Sequence, residues 1–550
     1  MDAVDSPGRS MVEASLPFAS RRSPVYATRG VVASSQSLAS QTGLEVLMRG
    51  GNAADAAVAT AAALNVTEPC STGLGGDCFA LYYEEASGTI TALNGSGRAP
   101  AGLSLDLLRE EGLSNALPPY HAHTVTVPGA CAGWCDLAER HGSLGLDAIL
   151  APAVRLAEEG FPVSSLTANA WAHGVPQLRG SRGGKALLVR GRAPKAGEVF
   201  RNPGLAGTLR AIGKGGADAF YRGEIAKRIA AAVQEKGGVL SEEDLSAHRS
   251  TWDAPIHTTY KDVRVHECPP NGQGLVALLA LNILSEFDLP REALGVDRLH
   301  LLVEAFRLAF ADGGAYLADP ATVPVPVEGL LSRSYAQERA RRIDPTRANL
   351  DHRPGTPPAG RDTVYFCVVD GRGNACSFIN SNYMGFGTGI VPERTGFSLQ
   401  NRGHNFSLDP RHPNALAPRK RPYHTIIPGM ATREDGSLYG PFGVMGGFMQ
   451  PQGHVQILLA LLEDGLDPQA ALDRPRVCLD HGKPDGSVAV EEGVPRETVA
   501  NLAARGHPVF PVSGHDRALF GRGQVILRDP ETGVLCAGSD PRADGCAAGF

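Results

Sequence analysis

A threonine preceded by an acid, Asp362-Thr363, stands where the Pro- and Gly-rich segment HRPGTPPAGR (352–361) meets the apolar run VYFCVV (364–369). A threonine hydroxyl holds its proton tightly and needs a base beside it to act as a nucleophile. One available base is the α-amine of the same residue, freed when the preceding peptide bond is cut. Such an amine titrates near ~8, so it accepts a proton close to neutral pH. The chemistry needs an exposed linker before the threonine, a strand to carry it, and donors for a developing oxyanion. The linker 350–362, a strand over 363–369 and the Gly446-Gly447 pair of VMGGF supply these, the glycines as bare backbone N–H groups. On these residues alone a plainer reading also stands, because threonine favours strands and aspartate ends loops well.

The elements that must position Thr363 follow from local patterns. VVASS after Gly30 reads as a strand, and LASQTGLEVLMRGG as a helix ended by Gly50-Gly51. Asn52 is placed to cap AADAAVATAAALNV, whose alanines allow close approach to a sheet. Residues 78–95 read as a hairpin, 140–260 as mainly helical, and 271–318 as two helices. From Thr363 onward the texture turns to short strands with glycine turns: 363–370, 374–381, 395–401 and 425–447. Helices follow at 451–465 and 495–506. Asp370 and Asn374 are placed to shape the DGRGN turn. The pattern predicts a four-layer αββα sandwich in the α/β class. Residues 1–27 are expected to be a disordered leader, 28–362 a large unit and 363–550 a small one.

Composition narrows the function. The chain has 550 residues, net charge −6 and no basic stripe, which argues against nucleic acid as a partner. The longest apolar run, GLVALLALNIL (274–284), is too short to span a membrane. The ten cysteines form no CxxC pair and several lie in strand-like runs, so buried reduced thiols are expected. With no apolar signal segment near the start, a cytoplasmic location is expected. The histidines at 404, 412, 424 and 454 lack metal-ligand spacing, so neither metal nor other cofactor is expected. Gly73–Gly76 follows a helix and precedes a strand, the reverse of a dinucleotide-binding turn, and reads as a plain turn.

Longer motifs carry a resemblance. TVYFCVVDGRGNACS, GFGTGIV and QNRGHNF, with GGNAADAAVATAAALNVTEP, STGLGGDCFALYY, GGVLSEEDLSAH, ECPPNGQG and GSDPRADGCAAGF, resemble the gamma-glutamyltransferases, also called glutathione hydrolases. These are N-terminal nucleophile hydrolases, and the likeness runs from about residue 28 to the end. It implies a proenzyme cut between Asp362 and Thr363 into two chains that stay together as a heterodimer. Thr363 then takes an acyl group from a γ-glutamyl amide such as glutathione. The resemblance assigns Gly446 and Gly447 to the oxyanion and Ser381 to the partner of the nucleophile. Asn382 and Tyr383 fall around the family's substrate-binding asparagine, and His424-Thr425 on its serine pair. Asn405 stands where an aspartate holds the substrate ammonium. Ser96 stands where an arginine holds the carboxylate, with Arg98 two positions on as a substitute. Tyr365 replaces a usual histidine. These departures point to a divergent, cephalosporin-acylase-like branch. They keep two alternatives: a glutaryl- or cephalosporin-type amide acylase, and an unprocessed inactive homologue acting as a binding protein.

Overall fold

Alternate residues after Thr363 bury themselves in two different places, and that fixes the layering. Val364, Phe366 and Val368 join a cluster with the alanine-rich helix, while Tyr365, Cys367 and Val369 join one between two sheets. A strand apolar on both faces has to be covered on both. The computed structural model describes residues 22–350, 362–480 and 486–550. The strands of its two large sheets are β1 (Val25–Ala27), β2 (Gly30–Ser34), β3 (Asp77–Glu84), β4 (Thr89–Gly95), β5 (Thr251–Asp253), β6 (Ile256–Tyr260), β7 (Val263–Glu267), β8 (Asp362–Asp370), β9 (Ala375–Tyr383), β10 (Gly429–Arg433), β11 (Leu438–Met445), β12 (Arg522–Arg528), β13 (Leu535–Ser539) and β14 (Cys546–Gly549). One sheet has the order β1-β13-β12-β11-β10-β7-β6 and the other β14-β2-β8-β9-β3-β4-β5. Neighbouring strands in both are antiparallel.

Helices α1 (Ser37–Met48) and α2 (Ala53–Thr67) cover the sheet that holds β8. Helices α3 (Gly274–Leu284), α4 (Val296–Tyr316) and α5 (Met449–Leu462) cover the other. The result is the αββα sandwich expected from the sequence. Asn52 caps α2 as predicted, its side chain accepting from the N–H groups of Ala54 and Asp55, while Asp55 answers back to the Asn52 N–H. All fifteen residues of α2 are buried, which small side chains permit. The turn after β8 is built by Asp370, whose Oδ1 accepts from the N–H groups of Arg372 and Asn374. Its Oδ2 also accepts from Ala53 N–H, so the hairpin turn is pinned to the start of α2.

Three sequence expectations need correction. The predicted leader extends too far. Residues 1–21 lie outside the described residues, but Arg22 donates to the carbonyls of Ala543 and Gly545, and β1 pairs with β13. Residues 395–401 form no strand, although the run is buried. Its polar groups go instead to loops, Gln400 N–H to Gly75 and Leu399 N–H to Ile390, so no ladder forms. The helical stretch ends by 247, and 251–260 supplies strands to both sheets. The predicted linker 350–362 falls mostly on 351–361, outside the described residues.

Candidate active site

Thr363 sits one residue into β8, where the ladder with β9 slips. Asp362 pairs with Tyr383 and Val364 with Asn380, leaving an extra residue on β9 opposite the threonine. Such a bulge re-aims side chains at the end of a ladder. Thr363 Oγ1 lies 3.0 Å from Ser381 Oγ, and both residues are buried. Ser381 Oγ also receives the N–H of Tyr383 at 2.8 Å and Arg402 Nη2 at 3.3 Å. Two donors already reach Ser381 Oγ, and either hydroxyl of the Thr363–Ser381 pair can supply the proton between them. Tyr383 takes a positive φ of 80° here. For a non-glycine residue that costs on the order of 1–2 kcal/mol and needs surroundings that hold it. Its N–H is tied to Ser381 and its ring lies 4.2 Å from the Arg402 guanidinium carbon.

Arg402 is the residue that sequence reasoning missed. It lies in a short 3₁₀ turn, Arg402–Asn405, and is fully buried. Nη1 donates to Thr425 Oγ1 at 2.7 Å. Burial pulls its pKa down to about 10, so it stays protonated at neutral pH. From Thr425 the network continues through Gln273, a second missed residue. Its Nε2 donates to the Thr425 carbonyl at 2.5 Å and the Gly447 carbonyl at 2.8 Å. Gly446 and Gly447 follow β11, with φ of 134° and 60°, a conformation open to glycine. Their N–H groups make no hydrogen bond among the described residues. Thr363 and the glycine pair are thus joined by a continuous chain of contacts, Thr363–Ser381–Arg402–Thr425–Gln273–Gly447. The signal for Gln273 was present in ECPPNGQG; for Arg402 it was only an arginine amid buried polar residues.

The other predicted residues divide. Asn405 Nδ2 donates to the Tyr423 carbonyl at 3.0 Å, and its Oδ1 is buried without a partner among the described residues. Asn382 Nδ2 reaches Ser398 Oγ at 3.4 Å, and its Oδ1 is likewise without a partner. His424 does not face the nucleophile. Its Nε2–H donates to Asp77 Oδ2 at 2.9 Å and its Nδ1 accepts from Ile426 N–H. Burial, with the Arg402 charge, pushes the His424 pKa down to about 3, so the ring is neutral. Asp77 Oδ1 takes the N–H groups of Gly97 and Gly129 and the Gln400 amide. Burial pushes the Asp77 carboxyl up, but the His424 hydrogen bond, the Arg402 charge and Gln400 outweigh it and hold it below the usual carboxylate range. Arg98 is not brought to Thr363; it is half-exposed and reaches the Arg249 carbonyl at 3.4 Å. Ser96 is buried, its hydroxyl hydrogen-bonded to Asn94 and Asn271. Tyr365 hydrogen-bonds Ser377 Oγ and packs on Gly443, as a core residue. The Gly73–Gly76 turn serves close approach, since a Cβ on Gly76 would stand 2.1 Å from the Ser381 carbonyl.

The family model described as gamma-glutamyltranspeptidase matches residues 39–550. A glutathione hydrolase-like YwrD proenzyme from Bacillus subtilis is 38% identical over 96% of this chain and 99% of its own length. An oxamate amidohydrolase proenzyme from Klebsiella pneumoniae is 36% identical over 95% of this chain and 99% of its own. The crystal structure of a cephalosporin acylase from Bacillus halodurans superposes with a TM-score of 0.91 at 47% identity, covering 100% of this chain and 99% of that one. The motifs, the sandwich and these matches agree, and the chain belongs to the gamma-glutamyltranspeptidase family.

Proposed function

We propose that the protein is a proenzyme that cuts itself between Asp362 and Thr363 and then cleaves amides through an acyl-enzyme on Thr363. The observation that carries this reading is Thr363 Oγ1, held 3.0 Å from the Ser381 hydroxyl and linked through a chain of contacts to a glycine pair whose two N–H groups are unused among the described residues. In the self-cleavage, Oγ1 attacks the Asp362 carbonyl carbon, the C–N bond breaks, and the amide nitrogen takes a proton to become the Thr363 α-amine. Water then hydrolyses the ester and leaves an Asp362 carboxylate. In the mature enzyme the α-amine takes the Oγ1 proton as the hydroxyl attacks the substrate carbonyl. The oxyanion forms against Gly446 and Gly447, and the proton passes to the departing amine. Water resolves the acyl-enzyme by hydrolysis, an amino acid by transfer.

The two chains stay together as a heterodimer because the cut leaves both sheets mixed. β2 from the first chain sits between β14 and β8 from the second, and β7 sits against β10. Separation would break both ladders and expose the core between them. Substrates are γ-glutamyl amides such as glutathione. A second reading, a glutaryl- or cephalosporin-type amide acylase, is favoured by the neutral Asn405, which offers an ammonium no negative charge. The ten free thiols, eight of them buried, favour a cytoplasmic setting.

Intact-mass analysis tests the proposal. The wild type is expected as chains 1–362 and 363–550, with a transient acyl adduct on the smaller after exposure to substrate. Thr363→Ala is expected as one 57.7 kDa chain. A wild type that remains whole and hydrolyses nothing would replace the enzyme with the binding-protein alternative.

A further inference from the structure

A guanidinium removed from water is costly unless an anion meets it. Arg402 is fully buried, yet among the described residues no carboxylate forms an ion pair with it. Asp77 is the acid that acts on it electrostatically. That carboxylate is already taken by Gly97, Gly129, Gln400 and His424. What Arg402 holds instead are two hydroxyls and an aromatic face, and its Nε has no hydrogen-bond partner among the described residues. The group is therefore a cation with spare donors, two hydrogen bonds away from the nucleophile. Thr363 is itself only 2% exposed in the uncut chain, so nucleophile and guanidinium share one buried region.

We propose that Arg402 anchors a carboxylate on the acyl group of the amide cleaved at Thr363. The inference rests on the hydrolase reading of the site and names the substrate class: monoamides of dicarboxylic acids. The α-amino group of a γ-glutamyl substrate is optional. Asn405 and Asn382 present side-chain carbonyl oxygens without partners among the described residues, which accept an N–H but supply no charge. Arg402 thus takes the task that the sequence had suggested for Arg98.

The test compares kcat/KM of the cleaved enzyme for glutaryl-, γ-glutamyl- and pentanoyl-p-nitroanilide. Glutaryl is expected to exceed pentanoyl by about ten- to a hundredfold, the worth of one charge-assisted contact. The γ-glutamyl amide is expected within roughly tenfold of glutaryl, since the neutral acceptors discriminate weakly. In Arg402→Met the glutaryl-to-pentanoyl ratio is expected to collapse toward one, and in Arg402→Lys to survive in part. The ratio is taken within each variant, so a general loss of rate from the Ser381 contact does not enter it. A wild-type ratio near one, or a ratio unchanged in Arg402→Met, overturns the anchor and leaves the hydrolase reading intact. Thermal protection by glutarate against pentanoate gives a readout free of turnover. If no amide is cleaved, the hydrolase reading fails, and the anchor then stands only if glutarate protects the wild type and not Arg402→Met. If a variant fails to cut itself, the wild-type ratio and the protection experiment decide.

Discussion

Replacing Ser381 with alanine removes the hydroxyl beside Thr363 Oγ1, together with the acceptor for the Tyr383 N–H and Arg402 Nη2. The contact is 3.0 Å long between two buried groups, so water has no ready route to replace it. It is also charge-assisted, because Ser381 Oγ accepts from the Arg402 guanidinium at 3.3 Å, which makes its own proton a stronger donor. Negative charge grows on Thr363 Oγ1 as it attacks. A charge-assisted hydrogen bond of this kind is worth about 1.5–3 kcal/mol. Converted to a rate, that is roughly a 10- to 150-fold loss. The assay is the first-order conversion of freshly synthesised full-length chain to two bands on a denaturing gel, followed by amide hydrolysis by whatever chain is cut. Both rates should fall by that factor in Ser381→Ala. Ser381→Thr retains a hydroxyl and should stay within about threefold of wild type. Self-cleavage of Ser381→Ala at the wild-type rate would refute the assignment of Ser381 as donor to the nucleophile.

Other outcomes follow from the same geometry. Gly446→Ala forces an L-residue to φ 134° and brings a Cβ to 3.1 Å from Gly521 Cα, so the backbone must shift. If its N–H meets the oxyanion, steady-state kcat should fall by about 10²–10³ with self-association of the two chains retained; an unchanged kcat removes Gly446 from that role. His424 titrates near 3 when folded and near ~6.5 when unfolded, so the unfolded chain binds the extra proton between these values. Its contribution is therefore full above pH 6.5 and falls with pH down to about 3, a loss of about 2 kcal/mol by pH 5. Thermal midpoints measured from pH 8 to pH 5 should be level at first and then drop below pH 6.5, and a level curve throughout would contradict a neutral buried His424.

Much of the site was legible because several of its signals are local. The strand start at Thr363, the glycine pair after β11 and the hydroxyl at 381 are each read from a few neighbouring residues. Arg402 was not, since an arginine beside glycine, histidine and asparagine looks like a solvated turn until the fold closes over it. Arg98 misled for the converse reason. It lies only two positions from Ser96, yet Ser96 is buried while the half-exposed Arg98 reaches the Arg249 carbonyl at the surface. His424 lay beside a real member of the network, Thr425, and successive residues face opposite ways. One side chain meets Arg402 and the other meets Asp77.

The amino-acid sequence by itself determined the family, the layered architecture, the capped alanine helix and the residue expected to react. Each of these depends on short-range patterning, on periods of two or near four, on caps and on glycines that the backbone needs. Only the tertiary structure decided which charges are buried and what they touch. Asp77 and His424 are 347 positions apart, and Arg402 and Ser381 are 21 apart across a bulge. Those pairings depend on sheet register, where a shift of one residue turns every side chain to the other face.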